Sequence, residues 1–316
     1  MHRPPYLDFN TYLRSVYGCR VQKITLDAGF SCPNRDGRIS TGGCIYCNPR
    51  GSGTGAHARG ESVTGQLLAG RAALARRYKA KKFIAYFQAF TNTYGPLGRL
   101  RALYDEALAV KDVVGLSVGT RPDCVDDNVL ALLQGYAAAG SMVWLEYGVQ
   151  SASDATLARI NRGHDFVCVE KAVKAARDRG ILLCAHIILG LPGESRADML
   201  HTAAEMARLG LDGLKIHLLY VVKDTPLADL YERGRYQCLA FEEYVDLVCD
   251  VLERLPADMV IQRLTGDPHP GELVAPAWAR EKRKTLDAIG RTLTDRGTCQ
   301  GSRVGRPLPP VRGGES

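Results

Sequence analysis

Apolar runs and polar, helix-patterned stretches take turns along most of this chain. β-branched, aromatic and other apolar residues concentrate at 21–26, 83–87, 113–118, 142–147, 181–189 and 214–222. Between most of these lie segments with apolar positions at helical spacing: 62–78, 97–109, 125–139, 153–179 and 195–209. Strands alternating with helices of this length predict right-handed βαβ units and a parallel sheet. Six such units are too few for a closed eight-stranded barrel. The expected fold is therefore α/β, a partial open (β/α)6 TIM-type barrel with a wide mouth. Further on, the pattern predicts helices at 225–234 and 241–255, one more strand at 259–264 and a last helix at 276–295. The expected organisation is a helical lead-in at 1–20, the barrel at 21–222, a helical and strand extension at 223–300 packed on it, and a disordered tail at 301–316.

Barrels of this type place their chemistry at the C-terminal ends of the strands. The first predicted strand runs into a polar loop. The second ends in QAFTNT, the third in SVGTRPD, the fourth in EYGVQS and the fifth in HIILGLPGE. The sixth carries Lys215-Ile216-His217. Singly, each end is an ordinary turn. Six polar ends in succession predict a shared ligand-binding rim.

The loop after the first strand holds Cys32, Cys44 and Cys47 in the array C-x11-C-x2-C, within SCPNRDGRISTGGCIYC. Thiolates select zinc, copper(I) or iron–sulfur clusters. A structural zinc site is closed by a fourth ligand, for which His57 and Cys19 are the candidates. A cubane cluster also ordinarily takes four cysteines. Three would leave one iron for a ligand that is not protein. The other seven cysteines form no second pair and read mostly as small buried apolar residues.

Ten cysteines in 316 residues do not suggest the disulfide framework of a short secreted domain. The first residues, MHRPPYLDFNTYL, lack the apolar stretch of a signal peptide, and no run approaches a bilayer span. The expectation is a cytoplasmic protein with no membrane contact and its thiols reduced. A hydrophobic content of 46% suffices for a core, and the net charge of +7 is compatible with an RNA or nucleotide substrate.

The cysteine loop, the six-unit barrel and the strand ends resemble the radical S-adenosylmethionine (SAM) superfamily. Within it they resemble the branch related to the elongator catalytic subunit, and more narrowly the YhcC/YtqA-type proteins. The segments AYFQAFTNTY, GTRPDC, EYGVQS, INRGHDF, HIILGLPGES, LKIHLLYVVKDTPL and QRLTGDP carry that resemblance along with the cysteine loop. It implies that Cys32, Cys44 and Cys47 bind a 4Fe–4S cluster whose open iron is chelated by SAM. It also implies a reducing electron donor of the flavodoxin or ferredoxin type. One electron would cleave SAM to methionine and a 5′-deoxyadenosyl radical, the cofactor carrying the hard chemistry. No Ser-His-Asp or paired-carboxylate constellation is then needed, and none is evident.

The resemblance also distributes roles along the rim. Gln88 and Thr91 stand where the superfamily contacts the methionine amino group, in place of the usual glycine-glycine-glutamate. Glu146 and Gln150 are candidates for ribose or methionine contacts. Gly190 and Gly193 would let backbone approach the adenine, with Glu194 a further candidate that also suits a helix start. On the substrate side the candidates are Arg121, Arg162, His164, His186, Lys215 and His217, whose cationic and imidazole groups suit an anionic substrate. Tyr220 stands where relatives often carry His. The branch implies a tRNA nucleoside as substrate, with a wobble uridine one case. Radical chemistry on a small metabolite and a non-catalytic, zinc-stabilised RNA-binding barrel are the alternatives. From Arg280 onward nine Lys/Arg face four Asp/Glu, so most of the positive excess sits at this end. A solvated helix with a Gly/Pro-rich tail accounts for it before an RNA-steering arm does.

Overall fold

The computed structural model describes residues 5–49, 51, 53–269 and 271–304. Its elements run α1 (Phe9–Tyr17), β1 (Val21–Leu26), α2 (Val63–Tyr78), β2 (Lys82–Phe87), α3 (Leu97–Leu108), β3 (Val113–Thr120), α4 (Asp127–Ala138) and β4 (Met142–Gln150). They continue as α5 (Asp154–Arg159), α6 (Phe166–Ala176), β5 (Leu182–Leu189), α7 (Arg196–Arg208), β6 (Gly213–Leu218), β7 (Val221–Val222) and α8 (Pro226–Glu232). The chain closes with α9 (Phe241–Arg254), β8 (Val260–Arg263), β9 (Leu273–Ala275) and α10 (Lys282–Asp295).

Seven strands form one parallel sheet in the order β1-β2-β3-β4-β5-β6-β8. The 259–264 run thus becomes a seventh parallel strand beside the six expected. The sheet is curled. Lys23 on the edge strand β1 donates to Glu146 on the central strand β4 and, at 2.6 Å, to Gln262 Oε1 on the opposite edge strand β8. A flat sheet cannot bring its two edges and its centre to one ammonium. The fold is a half-barrel with helices outside, as the alternating pattern predicts.

Two expected elements divide. The single helix expected over 153–179 breaks into α5 and α6, because Asn161 and Gly163 take left-handed conformations at φ 53° and 77° and Asp165 caps a new helix. The strand expected over 214–222 ends at Leu218. Val221–Val222 leaves the sheet and pairs antiparallel with β9.

Strand alternation sorts the residues by face. Ile24, Leu26, Phe83, Ala85, Phe87, Leu116, Val118, Val143, Leu145 and Tyr147 join the large core beneath the helices. On the concave face the lowest layer is apolar. Trp144, Cys184 and Val260 pack there, and α1 closes it with Phe9 and Tyr12, whose rings meet Trp144 edge-on at 5.7 and 5.9 Å. The layer directly above that plug is polar, with Lys23, Ser117, Glu146 and Lys215 hydrogen-bonded across it. Of the tail expected from 301, Gly301–Val304 lie against α9, with Arg303 N donating to Glu253 O at 2.7 Å. Residues 305–316 lie outside the described residues.

Candidate active site

The cysteine loop crosses the C-terminal end of the sheet and is knitted by side chains to its own backbone. Cys32 O accepts from Arg35 N and Asp36 N, and Cys44 O accepts from Cys47 N at 2.9 Å, so both ends of the array are tight turns. Arg35 Nη2 donates to the carbonyls of Cys47 and Asn48 at 2.9 and 2.5 Å. Asn34, wholly buried, donates to Asn161 O at 2.5 Å and lies 3.7 Å from Cys44 Sγ. Asn161 Nδ2 returns a bond to Gly43 O at 2.8 Å. The loop is thereby fixed to the α5–α6 connection, which the sequence pattern read as helix interior.

All three thiols line one cavity of about 180 Å³, and Arg35 and Arg162 share its wall. Arg162 Nη1 lies 3.7 Å from Cys44 Sγ, Nη2 donates to Gly148 O at 2.5 Å, and Nε meets His164 Nε2 at 3.0 Å. Gly148 has to be glycine for this, since a Cβ there would sit 2.7 Å from the Arg162 guanidinium. A hydrogen bond from Cys47, and then the charge of Arg162 against burial, holds the Cys44 thiol well below its ordinary range. Cys47, the donor in that bond, is pushed up by it and by desolvation. A thiol held low beside a buried guanidinium is primed to become a metal-bound thiolate. Thiolates spread around a cavity suit a cluster whose irons each take one, rather than a single tetrahedral ion.

Below the cavity a charged layer crosses the concave face. Glu146, 0% exposed, accepts from Lys23, Lys215 and Ser117 and meets His186 Nε2 at 2.7 Å. Lys215 also donates to Tyr86 OH at 2.9 Å and lies 4.1 Å above that ring. Burial alone raises the Glu146 carboxyl, but Lys215 and Lys23 hold it well below the carboxylate range. Burial, partly offset by Glu146, brings Lys215 down to about 7. Burial with Lys215 nearby brings His186 down to about 4.

With the geometry in place, comparison with known proteins decides the family. The model of the radical SAM superfamily matches residues 35–206, and that of the radical SAM C-terminal domain matches 211–295. The chain belongs to the radical SAM superfamily. It is 42% identical to the uncharacterized protein YtqA of Bacillus subtilis over 94% of this chain and 92% of that one. It is 43% identical to protein YhcC of Escherichia coli K12 over 96% and 97%. The archaeal Methanocaldococcus infernus Elp3 shares the fold with a TM-score of 0.67 and 17% identity, over 89% of this chain and 64% of that one. The protein is thus a radical SAM enzyme, and its cofactors are a 4Fe–4S cluster and SAM.

Within this radical SAM barrel the expected rim residues fall into distinct places. Gln88, Thr91, Gln150 and Glu146 line the thiol-bearing cavity. Gln150 closes β4 at φ 76° and Phe90 follows β2 at φ 63°, so both rim positions hold sparsely populated backbone conformations. Glu146 has its oxygens engaged by the layer below. Gly190, Gly193 and Glu194 line neither this cavity nor its neighbour. Gly190 turns toward Leu239, Gly193 toward Arg159, and Glu194 accepts from Ser151 Oγ at 2.5 Å, with burial raising its carboxyl to about 7.

A second cavity of about 510 Å³ adjoins the first, sharing Tyr46, Cys47, Gln88, Gln150, His186, His217 and Arg263 with it. Of the substrate candidates, His186 and His217 line both cavities and Arg121 and Arg162 line the first. Arg121 is 2% exposed and braced by Asp123 at 2.7–2.8 Å and by Arg162 O at 2.8 Å. His164 stands behind Arg162, lowered to about 4 by burial and by that guanidinium. Lys215 belongs to the charged floor. Sequence reasoning missed Lys23, Asn34, Arg35, Tyr46 and Arg263. The signal for Arg263 was present: it ends the 259–264 run as the other rim residues end theirs.

Proposed function

We propose that Cys32, Cys44 and Cys47 hold the cluster and that the enzyme modifies a tRNA nucleoside in the adjoining cavity, a wobble uridine being the specific case. The observation that carries this reading is the shared wall. The thiol-lined space opens directly into a larger one faced by three imidazoles, two tyrosines and a guanidinium. A pocket of a few hundred Å³ is of the size that encloses a nucleoside, and aromatic rings with cationic groups are how unstacked bases are held. When bound, the cluster and SAM supply a reducing electron and the 5′-deoxyadenosyl radical. The chain's own residues do the rest. Arg162 and Arg35 offset thiolate charge, and Gln88, Thr91 and Gln150 line the space beside the thiols. His186 and His217, held neutral, offer hydrogen bonds toward the second cavity. A small ferredoxin- or flavodoxin-type protein would deliver the electron. Among the described residues no helix is long and apolar enough to cross a membrane, and reduced thiols of this kind belong in the cytoplasm.

The test begins with anaerobically reconstituted protein. Adding SAM to the reduced enzyme should change the cluster's electron paramagnetic resonance signal. 5′-Deoxyadenosine release should then accelerate with tRNA from a strain lacking the gene, and that tRNA should miss one modified nucleoside. An unperturbed signal sinks the cluster assignment. Acceleration by a small metabolite and not by tRNA replaces the nucleoside reading with the metabolite one.

A further inference from the structure

Among the described residues, one cation of the active site is unused. Every other described charged side chain facing the two joined cavities has a partner within the chain: Arg35 on the loop carbonyls, Arg121 on Asp123, Glu146 on Lys215, Arg162 on Gly148 O, Asp267 on Lys282 at 3.2 Å, and Glu272 on Asn48 at 2.8 Å. The Arg263 guanidinium makes no hydrogen bond or ion pair with any described residue. It nevertheless lines both of these cavities and a third, of about 570 Å³, along the open seam between β1 and β8. The sheet explains its position. Arg263 is the last residue of β8 and stands in register with Lys215 of β6, after a register shift. His217 lies two residues beyond Lys215 and so on the same face. The His217 ring sits 5.4 Å from that of His186, and its Nε2 is buried with no partner.

Two unpaired groups at one junction are costly unless something pairs them. A partly buried guanidinium offers five donors in a fork that matches a phosphate or carboxylate. A buried imidazole nitrogen without a partner forfeits hydrogen bonding that water would have given it. Beside them Tyr46 and Tyr220 line the larger cavity. An anion site next to aromatic side chains is the pattern of a nucleotide: the base among the rings, the phosphate on the fork.

We infer that Arg263, with His217 beside it, is the substrate's phosphate-binding element, and that the enzyme recognises its target nucleoside through a backbone phosphate of a polynucleotide. This rests on the tRNA reading above and deepens it. The seam cavity then receives the chain leading to the neighbouring nucleotide, since Arg263, Thr25 and Asp267 are common to both spaces. Free nucleosides lack the group that Arg263 awaits and are poor substrates.

The probe is unfractionated tRNA from a strain lacking the gene, titrated onto cluster-loaded enzyme at several salt concentrations. Arg263→Gln should weaken binding at least tenfold and reduce the slope of log K against log salt by about one, the signature of one lost phosphate contact. Arg263→Lys should restore most of the slope, while Arg283→Gln, an exposed cation on α10, should leave it unchanged. The SAM-induced change in the cluster signal reports that each variant is folded and loaded, and it should persist in Arg263→Gln. An unaltered slope in Arg263→Gln overturns the inference. Loss of the SAM signal in Arg263→Gln, with cluster content intact, also overturns it, because the guanidinium then serves SAM. If native enzyme responds to SAM but binds no tRNA at low salt, the polynucleotide inference and the tRNA reading fail together. The radical SAM assignment stands in that case and fails only if the native signal ignores SAM.

Discussion

Arg162 does three jobs from one position, and no other residue type does all three. It faces Cys44 Sγ, holds Gly148 O and braces His164, each through a different nitrogen. Lysine keeps the charge but has no fork, so Arg162→Lys should lose most of the effect of Arg162→Gln. Both variants should fall at least tenfold in SAM cleavage, and equal activity of the lysine variant and the native enzyme would show that charge alone matters. The cysteines give a sharper contrast. Cys32→Ala, Cys44→Ala and Cys47→Ala should each lose the brown colour and the roughly four irons of a cubane. Cys19→Ala and Cys299→Ala should keep both, and full loading of Cys44→Ala would refute the ligand set. The buried imidazoles set a pH dependence. His164 and His186 stay neutral down to about 4 in the folded protein, whereas unfolded histidine protonates near 6.5. Between those values the unfolded chain binds more protons, so stability is lost as pH falls through that window, by up to about 1.4 kcal/mol per pH unit for each group. Thermal midpoints should therefore drop from pH 6.5 to pH 5, with a shallower slope in the His164→Gln/His186→Gln double variant. Parallel curves would remove these histidines from the account. The three cysteines proposed as ligands were legible in the sequence because C-x11-C-x2-C is a spacing signal in one short loop. Arg162 was legible only as a cation on the rim. Its closeness to Cys44 is a contact across more than a hundred residues that no local pattern encodes.

Elements divide the labour in layers. The outer face of each strand packs under helices and reads as continuous apolar sequence, which is why strand positions were legible to within a few residues. The concave face carries the information that periodicity hides. Lys23, Ser117, Glu146 and Lys215 sit inside strands, where a charge usually signals solvent, yet the curl of the sheet brings them to one buried point. The α5–α6 break was hidden differently: apolar spacing continues through 153–179, and only Asn161-Arg162-Gly163 and the cap at Asp165 mark the interruption. That interruption places Arg162. The charged layer is the part of the sheet most exposed to substitution. Glu146→Gln leaves two lysines without their largely buried counter-charge, and breaking such a pair costs about 3–5 kcal/mol. Asp127→Asn, which breaks the exposed pair with Arg179, should stay within about 1 kcal/mol. Urea midpoints of the two variants check the ranking. Similar small losses in both would mean that water reaches the layer and screens it.

At the scale of the whole molecule, described cations of the basic C-terminal segment are engaged with acids of the barrel and of α9. Arg296 pairs with Asp246, Asp250 and Glu253 of α9, Arg303 pairs with Glu253, and Lys282 pairs with Asp267. The excess charge read from composition is thus largely neutralised in place among the described residues, which the sequence could not show because the acids lie 15 to 50 residues upstream. The same segment ties the two ends of the chain together. Gln300, 5% exposed, donates from its backbone to Pro5 O at 2.8 Å and accepts from Leu7 N at 2.9 Å. Its amide donates to Pro256 O at 2.6 Å and Met259 O at 2.8 Å. Leu7 O in turn accepts from Ile261 N at 2.8 Å, so this glutamine holds the strand-like lead into α1 against β8. Because α1 supplies Phe9 and Tyr12 to the plug under the charged layer, loosening the tie should open the bottom of the half-barrel. Ending the chain after Val304 should therefore leave stability and tRNA binding unchanged. Gln300→Ala strips partners from one buried amide and two carbonyls, at about 1–3 kcal/mol for a group left unsatisfied. Hydrogen exchange at Leu7 and along α1 should accelerate in that variant, while exchange in β3 and β4, at the centre of the sheet, stays slow. Uniform acceleration across the sheet would instead make Gln300 a general stability residue, and unchanged exchange at α1 would show that the helix holds its place without the tie.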